Sequence, residues 1–326
     1  MNKRIVAIML ILAGFISSCQ KNSDIFVPDP SQPNGPDTSW YSVITPAMPV
    51  SALKTVLMPD VYVDSIVVDG NNAYINTPFG LQCGFPAHCC MNGSGQLISG
   101  TVRVEISLLK KKGDMVLMNK PSTSNGRLLV SGGEVFIRLR KDTQELQLAS
   151  GVKITLRFPD SPISTQMKFF AGDESNPDQF NWLPNPNSSN NSLGISSQNY
   201  EIQTNLLRWV GAAYFYDTTG ITRTTVTADL PSNFTNANTT AFVVLKDYRS
   251  VVAMQGDLSM KKFTSIKLPV GKEMTVIVIS KQGNDYFMDH KTIVTTVSTP
   301  SPGTQAVAVK PVITNLASIR AYLDTL

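Results

Sequence analysis

The feature that most limits the folds open to this chain is a strict alternation of apolar and polar residues. It recurs in short runs with turn residues between them. Val102, Val104, Ile106 and Leu108 alternate with Arg103, Glu105 and Ser107, and Val152, Ile154, Leu156 and Phe158 alternate with Lys153, Thr155 and Arg157. Successive side chains of a strand point to opposite faces, so each run specifies a strand with one buried face. Ser124-Asn125-Gly126 and Gly132-Gly133 supply the positive-φ residues that turns between strands need. The rhythm resumes over residues 200–203, 206–210, 222–230, 240–246, 263–268, 273–280 and 291–297, with Gln282-Gly283-Asn284-Asp285 as a hairpin turn. With no helical pattern between these runs, an antiparallel sandwich is expected rather than a βαβ fold. The exception is the C-terminus. There Leu316, Ile319, Leu323 and Leu326 follow Pro311, with Thr314 or Asn315 placed to cap a helix. The expected fold class is all-β: two antiparallel β-sandwich-like domains with a short C-terminal helix.

The 326 residues allow about two domains of roughly 150 residues each. Hydrophobic residues, at 42%, are enough for two cores, while charged residues, at 16%, are too few for a long coiled coil. A net charge of +4 without a Lys/Arg block argues against nucleic acid as a partner. The expected organisation is a lipoprotein signal peptide over 1–18, a flexible tether over 19–41, a first β-sandwich domain over 42–172, a linker over 173–198, a second β-sandwich domain over 199–300, and a C-terminal tail with the short helix over 301–326. The tether rests on Pro28, Pro30, Pro33 and Pro36. The linker rests on Pro177, Pro184, Pro186 and a run of Asn and Ser, with Phe180, Trp182 and Leu183 as its apolar bulk.

At the N-terminus Lys3 and Arg4 precede an apolar run over residues 5–16, broken by Gly14, and then Ser17, Ser18 and Cys19. The run is shorter than the ~20 residues of a membrane-spanning helix and suits a secretory signal. The string Ile16-Ser17-Ser18-Cys19 resembles a bacterial lipobox. That resemblance implies diacylation of the Cys19 thiol, cleavage before it, and a membrane held through palmitate-type chains. It further implies the outer membrane, on either its periplasmic or its cell-surface face. The Lys21 and Asp24 that follow partly match the surface-export signals of Bacteroidota lipoproteins.

Over residues 77–182 a set of motifs recurs in order. It comprises Pro86-Ala87, Asn92-Gly93, Gly100-Thr101-Val102-Arg103-Val104-Glu105, Lys112-Gly113-Asp114-Met115, Asn119-Lys120-Pro121, Thr123-Ser124-Asn125-Gly126, Ser131-Gly132-Gly133-Glu134 and Met167-Lys168-Phe169-Phe170-Ala171-Gly172. As a set they resemble a group of Bacteroidota envelope lipoproteins whose core is similar to the ZU-five β-sandwich. The resemblance implies a fold and an envelope location, and no activity. The His-Phe-Ser tripeptide at which some ZU-five domains cut themselves does not occur here: His88 precedes Cys89 and His290 precedes Lys291.

Among chemistry-bearing residues, Cys83, Cys89 and Cys90 beside His88 form the one dense cluster. Neighbouring residues in a strand point apart, which disfavours a tetrahedral metal site, so buried thiols or a disulfide from Cys83 to Cys89 or Cys90 are expected, with no metal and no cofactor. Asp114 and Glu134 follow glycines in turn-like contexts and are expected to bond backbone N–H groups. Lys110-Lys111-Lys112 is expected to be a solvated hairpin end. Asp64-Ser65-Ile66, Asp217-Thr218-Thr219 and Asp324-Thr325-Leu326 resemble the acceptor pattern of Bacteroidota O-glycosylation, pointing to Thr218 and Ser65. No phosphate loop, dinucleotide fingerprint or nucleophile elbow is present. The expected function is a membrane-anchored, non-enzymatic interaction or assembly module whose partner is an envelope protein or a glycan. The alternative is a glycan-binding surface lipoprotein using Trp182, in a Pro/Asn-rich loop, and exposed-loop aromatics such as Tyr214 and Tyr216. A hydrolase is the third reading, and it needs two carboxylates converging in a cleft.

Overall fold

The structure is a computed structural model that describes residues 37–176, 179–297 and 303–326. The signal peptide, Cys19 and most of the tether lie outside the described residues. The alternating runs build two sandwiches, as the periodicity requires. In the first, an eight-stranded antiparallel sheet has its main path in the order Tyr62–Val68, Gly100–Leu109, Arg127–Lys141, Arg208–Phe215, Lys168–Asp173, Asn181–Pro184. It faces a five-stranded sheet in the order Ser192–Ser196, Asn199–Thr204, Ile154–Pro159, Gln82–Phe85, Ala73–Asn76. The inward residues of each strand, among them Val102, Val104, Ile106, Val135, Ile137, Leu156, Phe158, Tyr200 and Ile202, form one buried core. The second sandwich pairs a four-stranded sheet (Gln255–Asp257, Lys262–Pro269, Arg223–Asp229, Thr304–Ala308) with a five-stranded one (Val251–Ala253, Thr239–Leu245, Glu273–Gln282, Asp285–Val294, Val312–Thr314). Its core is built on Val226, Val243, Val276 and Val278.

A third core joins the two. The outer face of the eight-stranded sheet presents Leu109, Phe136, Phe170, Trp182 and Trp209, and the five-stranded sheet of the second sandwich presents Phe242, Val244, Ile277 and Ile279. Three helices fill this seam: α1 (Pro49–Leu57), α2 (Lys112–Leu117) and α3 (Leu316–Leu323). They contribute Leu53 and Leu57, Met115 and Val116, and Ile319 and Leu323. Each such side chain stabilises the joint fold by about 1.5–3 kcal/mol of transfer free energy. Backbone bonds cross the seam as well: Ser122 N–H donates to Val251 O at 2.7 Å and Ser131 N–H to Arg249 O at 2.9 Å.

The helices have local causes. Pro49 starts α1, and Val50, Leu53 and Leu57 make its buried stripe. In α3 the Asn315 side chain caps the helix, accepting from Ser318 N–H at 2.9 Å. Between α2 and α3 the backbones nearly touch: a Cβ at Gly113 would sit 1.9 Å from the Leu323 carbonyl oxygen. Only α3 was expected. Helix α2 is too short, and too glycine-bearing, to leave a periodic signal.

Several expected boundaries shift. Residues 173–198, expected as a linker, are woven into the first sandwich. Asn181–Pro184 pairs with Lys168–Asp173, and Ser192–Ser196 pairs with Asn199–Thr204. Residues 199–215, expected in the second domain, complete both sheets of the first. Prolines are tolerated because Pro184 ends an edge strand. The asparagines serve as local hydrogen-bonding groups: Asn187 Oδ1 accepts from Ser189 N–H, and Asn191 Oδ1 accepts from the Thr204 hydroxyl at 2.6 Å. The chain therefore passes between sandwiches at residues 216–222. The expected tail is likewise structural, since Thr304–Ala308 pairs in parallel with Arg223–Asp229 and Val312–Thr314 pairs with Asp285–Val294. The end of the expected tether is docked: the Trp40 ring lies 5.2 Å from Phe263, and Tyr41 N–H donates to Asn236 Oδ1 at 3.0 Å. Gly132-Gly133 is a mid-strand segment rather than a turn. There a Cβ at Gly133 would meet the Phe158 ring at 2.7 Å. The Asn125-Gly126 and Gln282–Asp285 turns form as expected.

Candidate functional site

The outer face of the first sandwich's five-stranded sheet is open and polar. Register places Tyr74 beside Gly84 and Gly84 beside Thr155, while Asn76, Gln82, Arg157 and Glu201 run across neighbouring strands. These side chains line a cavity of about 410 Å³ together with Asn72. Tyr74 is 72% exposed although it lies within a strand. Its Cε1 and Cδ1 atoms pass over Gly84, at 3.4 and 3.6 Å from where a Cβ would stand. Arg157 Nε is shielded from solvent and has no hydrogen-bond partner among the described residues. Neither Arg157 nor Glu201 has an ion-pair partner among the described residues.

Trp182, expected as a glycan contact, is not available for one. It is 2% exposed, its Nε1–H donates to Pro121 O at 3.1 Å, and Phe180 packs edge-on at 5.0 Å. Its indole belongs to the seam between the sandwiches because the outward face of its strand is covered there. Tyr214 and Tyr216 are half-buried, with Tyr216 against Tyr248 at 5.1 Å.

The three thiols are free and buried. Cys83 lies in the core between Ile75 and Leu156, and burial pushes its thiol up to about 12. Cys89 and Cys90 do not point apart as strand geometry predicted; their sulfurs lie 3.3 Å apart. Strand alternation does not govern the pair, because Cys89 lies between the turn at His88 (φ 52°) and the two-residue strand Cys90–Met91. The contact holds Cys89 below the ordinary thiol range and pushes Cys90 above it. Among the described residues no group of three His, Cys, Asp or Glu is arranged to hold a metal ion.

Asp114 does bond a backbone N–H, but from the first turn of helix α2 rather than a turn between strands, accepting from Lys111 N–H at 3.3 Å. Glu134 does not. It lies in the strand Arg127–Lys141, is 3% exposed and faces the seam, with Oε2 lacking a hydrogen-bond partner among the described residues. Desolvation pushes its carboxyl up to about 8 against the opposing pull of Ser131, Lys120 and Arg249. Lys120 in turn pairs with Glu174 at 2.8 Å and lies 4.2 Å from the centre of the Phe180 ring. The lysine run is not a solvated end. Lys110 pairs with Asp160 at 3.2 Å, and Lys112 Nζ donates to Leu245 O and Lys246 O across the seam, at 3.0 Å each. Ser65 is exposed on the edge strand Tyr62–Val68, and Thr218 is half-buried in the turn connecting the sandwiches.

Sequence reasoning did not single out Tyr74. The available signal was Asn72-Ala73-Tyr74-Ile75-Asn76, where Ile75 takes the core and Tyr74 must face outward with two asparagines. Compared with known proteins, the chain matches no protein-family model and no curated protein.

Proposed function

We propose that this chain is an outer-membrane lipoprotein, held by acyl chains on Cys19, that acts without catalysis as a binding module of the cell envelope. The observation that carries the binding reading is the open polar face around Tyr74, a built cavity on a rigid sheet rather than on loops. The apolar run ending in Ile16-Ser17-Ser18-Cys19 supports the anchor. Resemblance to the envelope lipoproteins with a ZU-five-like sandwich supports the same location. The anchor is tested by metabolic labelling with palmitate. The wild type takes up label and is processed, whereas Cys19→Ala remains an unlabelled precursor. Label on the Ala variant overturns the assignment.

A further inference from the structure

We propose that Tyr74, with Asn76, Gln82, Thr155, Arg157 and Glu201, forms a binding site for a neutral pyranose sugar. The inference rests on the reading that this sheet face is the ligand surface, and it names the ligand class.

Four observations point to that class. First, a Tyr ring that is 72% exposed on a regular strand keeps a large apolar plate in water. The face of an aromatic ring is electron-rich, so it attracts the polarised C–H face of a sugar ring. Second, the surrounding groups include donors and acceptors in one small area: carboxamides at Asn76 and Gln82, a hydroxyl at Thr155, a guanidinium at Arg157 and a carboxylate at Glu201. Guanidinium only donates and ionised carboxylate only accepts, whereas each sugar hydroxyl does both. Third, Arg157 and Glu201 are direct register partners on adjacent strands, yet no ion pair joins them. An anionic ligand would meet Glu201 and a cationic one Arg157. A neutral polyol satisfies both. Fourth, Arg157 Nε has no acceptor among the described residues, and a turn of the guanidinium into the cavity would pair it with a ligand oxygen. The cavity of about 410 Å³ falls within the usual range of small-molecule sites, roughly 300–1,000 Å³. A purely structural account has Tyr74 shielding the strand at Gly84. That account assigns no task to Arg157 or Glu201.

The test uses the full-length protein on an array of neutral oligosaccharides (hexose, pentose and N-acetylhexosamine) and uronate oligosaccharides, followed by calorimetry with the best neutral binder. Binding of a neutral member is expected. It should weaken at least tenfold in Tyr74→Ala and in Arg157→Gln, and survive in Tyr74→Phe, which keeps the ring. Glu201→Gln should admit uronates that the wild type rejects. Thermal melts establish that each variant is folded, and Tyr74→Phe and Glu201→Gln carry the test if Tyr74→Ala does not fold. The proposal is overturned if no neutral member binds at millimolar concentration, if uronates alone bind, or if binding survives in folded Tyr74→Ala and Arg157→Gln. A photo-crosslinking residue at position 76 separates the two levels. Protein adducts with a blank array refute the sugar and leave the binding face standing, while a blank array without adducts removes both.

Discussion

Replacing Glu134 with Gln should remove most of the pH dependence that this carboxyl imposes on stability. Glu134 is buried against the seam, and its carboxyl titrates at about 8 in the fold against an ordinary 4.5. The native state therefore holds this proton more tightly than the unfolded chain does. The resulting stabilisation is fully present below pH 4.5 and disappears as pH rises through 8. A shift of about 3.5 units is worth about 5 kcal/mol at about 1.4 kcal/mol per unit. Between pH 5 and pH 9 wild-type stability should fall by about 4 kcal/mol through this group alone. Gln keeps the size and neutrality of the protonated acid and has no such proton. At pH 5 the two proteins should unfold alike; at pH 9 the variant should be the more stable. Urea titrations at each pH, followed by fluorescence, read this directly because Trp182 and Trp209 lie in the same seam. Every other ionisable group is common to both proteins, so the difference between them isolates Glu134. A difference that stays flat from pH 5 to pH 9 would falsify the account.

Two further outcomes follow from the seam. Gly113→Ala places a methyl group 1.9 Å from the Leu323 carbonyl oxygen, so α3 must move. A loss of about 1–3 kcal/mol, seen as a lowered melting temperature, is expected, and an unchanged melt would refute the close packing of α2 and α3. Expressed separately, residues 38–215 and 216–326 should each fail to unfold cooperatively, because each leaves half of the aromatic seam in water while the joined chain gives one transition. A native-like transition in either half, by calorimetry, would refute the interdependence of the sandwiches.

Strand positions were legible because a half-buried strand writes its own period: Val102 to Leu108 and Ile154 to Phe158 need no partner to be recognised. Hairpin turns were legible where positive φ is obligatory, as at Asn125-Gly126 and Gly283. Pairing was not. Pro184 and the asparagines of 185–191 have the composition of a linker, and only the register of Asn181–Pro184 on Lys168–Asp173 turns them into an edge. Trp182 illustrates the same limit: its apolar bulk signalled that it would dock, but which face was covered depended on the second sandwich. The candidate site was hidden for a related reason. Tyr74 and Arg157 are 83 positions apart in the chain and become neighbours only through the intervening strand Gln82–Phe85.

The docking of both ends of the described residues across the molecule sets the order in which the fold can be made. Tyr41 bonds to Asn236, 195 positions later, and Arg320 reaches back to the Val56 carbonyl across 264 positions. In a chain threaded N-terminus first, the earlier of these partners emerges long before the later one. Through that interval α1 has no sheet to rest on, and Phe136, Phe170 and Trp209 face solvent as an apolar wall. Such late, non-local closure makes folding slow and leaves an adhesive intermediate. A holding chaperone that binds aromatic surface should therefore govern the yield of this protein more than its final stability does.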